Sequence, residues 1–423
     1  MKVWQLKNGL IALLCLLMVT GSVAAKTNIT MWLSGQPVAV NDWALKFQNE
    51  FNRLNPDINL SIELYAGVAA TRDKLTVAII GGVAPDIVYD SNNLMPQWMN
   101  NGVALPLDRY LTDWNGTSDL LPDMLGSLRF RGQTWGIPFS VWPIGDLYNL
   151  DVYAAGGVSL PNTWDELLTA TKRLTQRNPD GTLKVFGYYA PLAPLNVYVD
   201  FEMMMQQLGT AMIDDDALTA NLQTDEARRV LTMMRDLVQA GQDPRARYSG
   251  DIAPLLNDQH AMFRSYGGFS FATMPETSKQ LAFRRYVGPT ADKSAIMGNG
   301  GILYITSVSP HPDEAWRVIE AFMEPENLKG YYLANTSVLP IRRSMFNDRD
   351  ILARPWAQEQ MATLSPPILP YGSRHVYNID FRIEAANFFL SAMRGDISIE
   401  EALLQAQQVT DAIVADRKAA EQR

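Results

Sequence analysis

Residues 74–108 read KLTVAIIGGVAPDIVYDSNNLMPQWMNNGVALPLD, and this stretch decides the fold. It opens as an apolar helix that two glycines, Gly81 and Gly82, bring to an end. Pro85 prevents the helix from continuing, because proline lacks the amide hydrogen and clashes with the preceding turn. The apolar run at 86–89 then predicts a buried strand of a parallel sheet.

Four small polar residues, Asp-Ser-Asn-Asn at 90–93, follow this strand. In an open α/β sheet, ligands bind just outside the carboxyl ends of the strands. These four residues are therefore candidates for ligand contacts. The alternative interpretation, a strand-to-helix loop that only caps the next helix, remains open from the sequence alone.

Two more strands precede this stretch. Ile29, Met31 and Leu33 alternate with polar residues, and residues 58–64 repeat the alternation. Apolar residues at helical spacing in 43–54 lie between them. The order is β-α-β-α-β, which is typical of a doubly wound α/β half.

The first 25 residues have the features of a secretory signal peptide. Two lysines precede an apolar run at 10–19 that is too short to span a bilayer, and small residues at 23–25 predict cleavage after Ala25. An uncleaved anchor is the alternative. The single cysteine, Cys15, lies in this leader, so we expect an exported periplasmic chain without disulfides or thiolate metal sites.

The charge of the chain bears on its partners. The net charge is −9 and the leader carries +2, which leaves about −11 for the mature chain. This balance argues against nucleic acid and against anionic membrane surfaces as partners. Roughly 400 mature residues are enough for two domains, each with its own core.

Three extended segments, at 135–149, 298–305 and 339–341, predict crossings between two lobes. A few crossing segments can act as a hinge, and the cleft between two lobes commonly holds a small ligand. We expect a discontinuous N-terminal lobe and a discontinuous C-terminal lobe, formed respectively by residues 26–140 plus 300–343 and by residues 141–299 plus 344–423.

Short motifs along the mature chain share one property, their order. They are W-x-x-G at 32–35, A-P-D at 84–86, P-F-x-x-W at 138–142, L-Y-N-x-D at 147–151, P-x-T-W-D-E-L at 161–167, A-M-F at 261–263, D-E-A-W at 313–316 and D-I-S-I-E-E-A-L at 396–403. In this order the chain resembles the family 1 extracellular solute-binding proteins, the sugar-capturing components of ABC importers.

The resemblance implies a two-lobed α/β fold of the type II periplasmic-binding-protein class, with doubly wound lobes and three hinge crossings. It also implies a monomer without catalytic activity, cofactor or metal, which passes a sugar or oligosaccharide to the permease subunits of an ABC transporter. Members of the family stack aromatic faces on sugar rings and bond the hydroxyls with short polar side chains.

The resemblance also gives candidate ligand contacts, which lie at strand ends, after the first crossing, in the A-M-F turn and in a late segment. They are Ser34, Gln36, Asp90, Ser91, Asn92, Trp142, Ser265, Tyr266, Phe269, Tyr371, Arg374 and Tyr377. The turn departs from the family pattern, since it has Tyr266 and Phe269 where a tryptophan is frequent. Each candidate can equally be a side chain without ligand contact.

Arg264 and Arg374 suggest a weaker hypothesis, that the ligand carries a carboxylate, as in an oligosaccharide that contains a uronate. Other solutes also remain open, namely a polyamine, a peptide or a polyol phosphate.

A secreted carbohydrate-active enzyme is the main alternative. Glycosidases need two carboxyl groups facing each other across the bond, but most acids here fall in loops or on helix faces. The three histidines, His260, His311 and His375, lack metal-ligand spacing. No nucleophile elbow or phosphate-binding loop occurs.

Overall fold

The computed structural model describes residues 26–245, 253–265 and 280–422. The proposed signal peptide, Tyr266 and Phe269 lie outside these ranges. In the first part of the chain strands and helices alternate. They are β1 (Thr27–Ser34), α1 (Ala39–Leu54), β2 (Ile58–Tyr65), α2 (Val68–Ile80), β3 (Ile87–Ser91), α3 (Met95–Asn100), α4 (Asp108–Asp113) and α5 (Pro122–Gly126).

A mostly extended segment follows, with β4 (Arg129–Phe130), β5 (Gln133–Thr134), β6 (Ile137–Pro138), β7 (Ser140–Ile144), β8 (Asp146–Asn149) and α6 (Leu150–Ala155). The middle of the chain contains α7 (Trp164–Leu174), β9 (Gln176–Arg177), β10 (Leu183–Val185), α8 (Pro194–Gln207), α9 (Asp225–Gly241), α10 (Ala253–Leu256), β11 (Met262–Arg264) and β12 (Leu281–Arg284).

The last part begins with β13 (Ile296–Asn299), β14 (Gly301–Ile305), α11 (Pro312–Met323), α12 (Pro325–Ala334) and β15 (Leu339–Pro340). It ends with α13 (Arg349–Leu352), α14 (Ala357–Ala362), β16 (Ile368–Pro370), α15 (Asn378–Arg394) and α16 (Ile399–Glu421). Within the described ranges, none of the helices combines the length and the apolar character that crossing a membrane requires.

The first lobe is built on a five-stranded sheet with the order β2-β1-β3-β14-β6. β1 runs parallel to β2 and β3, whereas β14 runs antiparallel between β3 and β6. The register aligns Met31 with Ile62 and Ile87, so these side chains share one face. Trp32 and Val88 are buried on the other face. Burial on both faces is what a doubly wound sheet requires.

Two details of this lobe differ from the sequence prediction. β3 continues through Asp90 and Ser91, because both residues pair with the antiparallel β14, a long-range partner that local sequence does not reveal. The apolar residues of α2 do not all pack inward, as an apolar helix would suggest. Leu75 and Ala78 are buried and Ile79 packs against the core, but Val77 is 70% exposed.

The second lobe has a three-stranded sheet with the order β11-β8-β12, in which Leu147 lies opposite Phe263 and Phe283. Helices α8, α9, α15 and α16 pack together beside this sheet. The rings of Phe201 and Phe389 stack with centroids 4.2 Å apart and join α8 to α15. Aromatic pairs of this kind add to the stability that burial itself supplies.

Three segments connect the lobes. β6 and β7 lead out of the first lobe, β13 and β14 lead back, and β15 pairs with β7. The crossings approach each other closely at Gly300, where a methyl group would overlap the carbonyl oxygen of Ser140. The backbone of Gly300 also bonds Asn92 in both directions, with N···O distances of 3.0 and 3.2 Å. Glycine is therefore the residue that this contact allows.

We expect Gly300→Ala to lower the free energy of unfolding by about 1–3 kcal/mol, the usual range for inserting a methyl group into a packed site. Urea unfolding measures the change. Gly126→Ala is the matched control, since a methyl group there meets open space at the end of α5. Equal stability of Gly300→Ala and the wild-type chain would contradict this account of the crossings.

Candidate functional site

The carboxyl end of β3 carries Asp90, whose carboxylate is fully surrounded by donors. Arg72 of α2 approaches it with an Nη2–Oδ1 distance of 2.8 Å, and the indole Nε1 of Trp98 donates to Oδ2 at 2.8 Å. The amide of Ser91 donates to Oδ1 at 2.7 Å. Asp90 is buried, so these bonds replace its lost hydration. Its visible role is to hold Arg72 at the edge of the sheet.

The next two candidates hold the returning crossing. The hydroxyl of Ser91 donates to Oδ1 of Asn299 at 2.7 Å. The side-chain amide of Asn92 donates to the carbonyl of Gly298 at 3.3 Å, and its Oδ1 accepts from the amide of Gly300 at 3.2 Å. Asn92 is buried. Both side chains thus connect the carboxyl end of β3 to the returning crossing.

The end of β1 contributes Ser34, which is buried, and Gln36. The Oε1 of Gln36 accepts from the hydroxyl of Tyr331 at 2.9 Å and from the amide of Asn335 at 3.4 Å. Burial raises the pKa of the neighbouring Tyr89 to about 12, and a hydrogen bond with Gln36 opposes this rise. Gln36 therefore links the first strand to the end of α12.

Trp142 and Tyr371 are half-buried aromatics next to the crossings. Trp142 lies in β7 opposite Asn299 and packs against both large buried apolar clusters. Tyr371 directly follows β16, and burial raises the pKa of its hydroxyl to about 12. The charge of Arg382 opposes this rise in pKa.

Two side chains of α8 hydrogen-bond the backbone of the loop after Tyr371. The hydroxyl of Tyr198 accepts from the amide of Ser373 at 3.0 Å, and the side chain of Gln206 donates to the carbonyl of Gly372 at 3.5 Å. Gly372 has a φ of +82°, a conformation that favours glycine. The position of Tyr371 thus depends on a buried helix rather than on a free loop.

Ser265 is buried, and its carbonyl accepts from the hydroxyl of Tyr286 at 2.6 Å. The preceding Arg264 is also buried and bonds two carboxylates. Its distances are 3.2 and 3.3 Å to the two oxygens of Asp146 and 3.3 Å to Oδ2 of Asp200. Burial raises the pKa of Asp146 to about 6, and the charge of Arg264 opposes this rise. These contacts assign Arg264 to the core of the second lobe.

Arg374 and Tyr377 lie where the two lobes touch beside the hinge. Arg374 donates to the carbonyl of Arg129 at 2.6 Å, pairs with Asp215 at 3.1 Å and stacks over Phe130 at 4.8 Å. Tyr377 is buried close to Glu421, and burial raises its pKa to about 12. The hypothesis that Arg264 and Arg374 bind a ligand carboxylate finds no support in these contacts.

Sequence reasoning missed Arg72 of α2, which pairs with the buried Asp90. An arginine on a helix normally indicates a solvated face, so this residue gave no signal. Within the described ranges, no group of three or more histidine, cysteine, aspartate or glutamate side chains could hold a metal ion.

Comparison with known proteins places this arrangement in a family. Residues 38–329 match the family described as bacterial extracellular solute-binding protein. A binding protein of Brucella abortus is 22% identical over 348 residues, which span 80% of this chain and 81% of that protein. The maltotriose-binding protein of Pyrococcus abyssi is 20% identical over 332 residues, 76% of this chain and 68% of that protein.

A solved structure extends the comparison to the fold. The sugar-binding protein MalE from Xanthomonas citri aligns with a TM-score of 0.79 at 18% identity, covering 94% of this chain and 100% of that chain. This likeness confirms the predicted two-lobed, type II periplasmic-binding-protein fold. The family match spans more than half of the 423 residues. The chain therefore belongs to the bacterial extracellular solute-binding protein family, as the order of its motifs predicted.

Proposed function

We propose that this chain is the substrate-binding component of an ABC transporter, which captures a sugar or oligosaccharide between its lobes and delivers it to a membrane permease. The proposal is supported by two half-buried aromatics next to the crossings, Trp142 in β7 and Tyr371 directly after β16, which pairs with β13. Aromatic faces suit sugar rings, which present apolar C–H groups on their faces. The similar maltotriose-binding and MalE proteins support the same ligand class.

The mechanism follows from the energetics of the two lobes. A ligand that touches both lobes binds the closed form more tightly than the open form and therefore shifts the population toward it. Beside the hinge, the lobes are joined by exposed contacts such as the Arg131–Asp216 pair, at 2.8 Å. Such surface pairs contribute about 0–1 kcal/mol each. They are therefore too weak to fix the equilibrium between the open and closed forms, and ligand binding can shift it.

The family is extracellular by description. We place this chain in the periplasm as a monomer, exported through the proposed signal peptide and cleaved after Ala25. Binding without chemical change to the ligand completes the proposal. The lobe boundaries proposed from the sequence, at 140/141, 299/300 and 343/344, predict that closure rotates backbone dihedrals mainly within the three crossings.

A thermal-shift screen of residues 26–423 against mono-, di- and oligosaccharides tests the function. A ligand at about 100 times its dissociation constant should stabilise the protein by about 2.7 kcal/mol, which raises the melting temperature by a few degrees. Chromatography of the recovered ligand should show it intact. Conversion of the sugar into shorter products would indicate an enzyme, and failure of every sugar to shift the melting temperature would refute the proposed ligand class.

A further inference from the structure

Asn299, the last residue of β13, uses its side-chain oxygen within the protein but not its side-chain nitrogen. The Oδ1 of Asn299 accepts from the hydroxyl of Ser91 at 2.7 Å and from the amide of Gly300 at 3.0 Å. The backbone amide of Gly300 can only donate, so the atom that faces it must be the oxygen. The Nδ2 of this half-buried residue therefore faces away from Gly300, and it has no acceptor among the described residues.

Two half-buried aromatic residues flank Asn299 in the four-stranded sheet β15-β7-β13-β16. The antiparallel register pairs Asn299 directly with Trp142 of β7. Residues paired in this way share one face of a sheet, with their Cβ atoms about 5 Å apart. On the other side β16 runs parallel to β13, and both Asn299 and Tyr371 come one residue after the pair of Gly298 with Pro370. Trp142, Asn299 and Tyr371 thus form an aromatic–amide row across three adjacent strands.

The polar groups of the aromatic–amide row share a second property, which is that solvent can reach them. Among the described residues, the indole Nε1 of Trp142 and the hydroxyl of Tyr371 have no hydrogen-bond partner, and neither is a buried atom. The side chains of Asp90 and Asn92 differ in this respect, because they bond protein groups. The row therefore offers N–H and O–H groups that a solute can bind without displacing an internal bond.

The hydrogen bond with Ser91 locates the row at a particular edge of the first lobe. Ser91 is the last residue of β3, which runs parallel to β1. In an α/β sheet, ligands bind outside the carboxyl ends of parallel strands. The side chain of Asn299 is thus attached to the edge where a ligand is expected, at the point where β13 leads back into this lobe.

We propose that Asn299 contacts the ligand of this protein, and that its Nδ2 donates hydrogen bonds to oxygen atoms of a neutral sugar which packs against Trp142. Sugar oxygens accept such bonds, and the apolar C–H faces of a sugar suit an aromatic ring. The row contains no charged group, which favours a neutral sugar over an acidic one. This inference rests on the proposed function, since it names a contact that determines specificity at the same site.

The two bonds to Oδ1 explain how Asn299 would contribute to specificity. They fix the orientation of the amide group before a ligand arrives, so binding does not have to immobilise this side chain. A donor that is fixed in this way favours ligands with an oxygen at the matching position and disfavours analogues that lack it.

Calorimetry on residues 26–423 tests the contact with glucose, galactose, mannose, maltose, maltotriose and mannobiose. Asn299→Ala should weaken the binding of each sugar that the wild type binds by at least about tenfold. The melting temperature of the free variant should stay close to that of the wild type. Gly300 keeps Oδ1 of Asn92 as an acceptor at 3.2 Å, and water can reach the half-buried Ser91.

Asn299→Asp separates the nitrogen from the oxygen. A carboxylate of the same shape still accepts from Ser91 and Gly300 but cannot donate, so this variant should also bind the sugar more weakly. Asn347→Ala and Asn347→Asp are the matched controls, because Asn347 is exposed in the loop before α13. Both controls should bind the sugar as the wild type does.

Three results would contradict the inference, and they differ in what they leave of the proposed function. Unchanged affinity of Asn299→Ala for a sugar that the wild type binds would overturn the contact and preserve the sugar-binding function. A loss in Asn299→Ala that Asn299→Asp does not share would assign Asn299 a structural role through Oδ1, again with the function preserved. Absence of binding by the wild type for all six sugars would overturn both.

Discussion

Replacing Arg264 by methionine should lower the free energy of unfolding by about 3–5 kcal/mol near pH 8, the usual cost of stranding a buried charge. The side chains of Arg264 and Asp146 are 3% and 0% exposed, so water cannot replace the lost guanidinium. The variant strands Asp146 and also removes one contact of Asp200. Methionine fills a similar volume, so the loss reports the charge rather than a cavity.

The pH dependence of this loss has a definite sign. Burial raises the pKa of Asp146 to about 6 even in the presence of Arg264. Because the charge of Arg264 lowers this pKa, replacing Arg264 must raise the pKa of Asp146 further. A carboxyl group whose pKa is higher in the folded than in the unfolded state loses stability as the pH rises through the folded value. The defect should therefore be larger at pH 8 than at pH 5.5.

Urea unfolding of Arg264→Met at the two pH values measures both effects. Arg417→Met is the control, because it removes an exposed ion pair to Asp380, at 2.5 Å, and should leave the stability nearly unchanged. A defect of less than about 1 kcal/mol at pH 8 would mean that the buried charges find other compensation.

The order of elements in the first lobe was predictable because its signals are local. Alternation placed Ile29, Met31 and Leu33 on one buried face. Helix starts were predictable for the same reason. The hydroxyl of Thr163 accepts from the amide of Glu166 at 3.2 Å, and Ser398 caps α16 in the same way. A capping residue and its target are three positions apart, so the sequence alone contains the whole interaction.

The candidate site was less predictable because its contacts are long-range. Asp90 bonds Arg72 and Trp98, and Asn92 bonds Gly298, which is 206 residues away. The sequence indicated polar side chains at the carboxyl end of β3, but it could not show that their hydrogen-bonding groups are used within the protein.

The difference in the free energy of unfolding between Glu202→Gln and the wild type should change in favour of the variant as the pH rises. Between pH 4 and pH 9 this change should reach about 3 kcal/mol. Glu202 is buried on α8, where its carboxylate accepts from the amide of Met212 at 2.9 Å and from Gln206 at 3.2 Å. Burial raises its pKa to about 7 against these bonds. Since the folded value lies above the unfolded value of 4.5, the wild type loses stability as the pH rises from about 4.5 through 7.

Glutamine has no proton to lose, so the difference between the two proteins isolates this one group. Urea unfolding at several pH values between 4 and 9 measures that difference. Glu401→Gln is the matched control, because the exposed Glu401 accepts from Gln405 at 2.9 Å with the same i,i+4 helical spacing. A difference that stays constant with pH for Glu202→Gln would show that its carboxylate is hydrated in solution. A rising difference would show that the charged form of Glu202 destabilises the folded protein. Glu202 lies on α8, the helix whose Tyr198 bonds the loop after Tyr371.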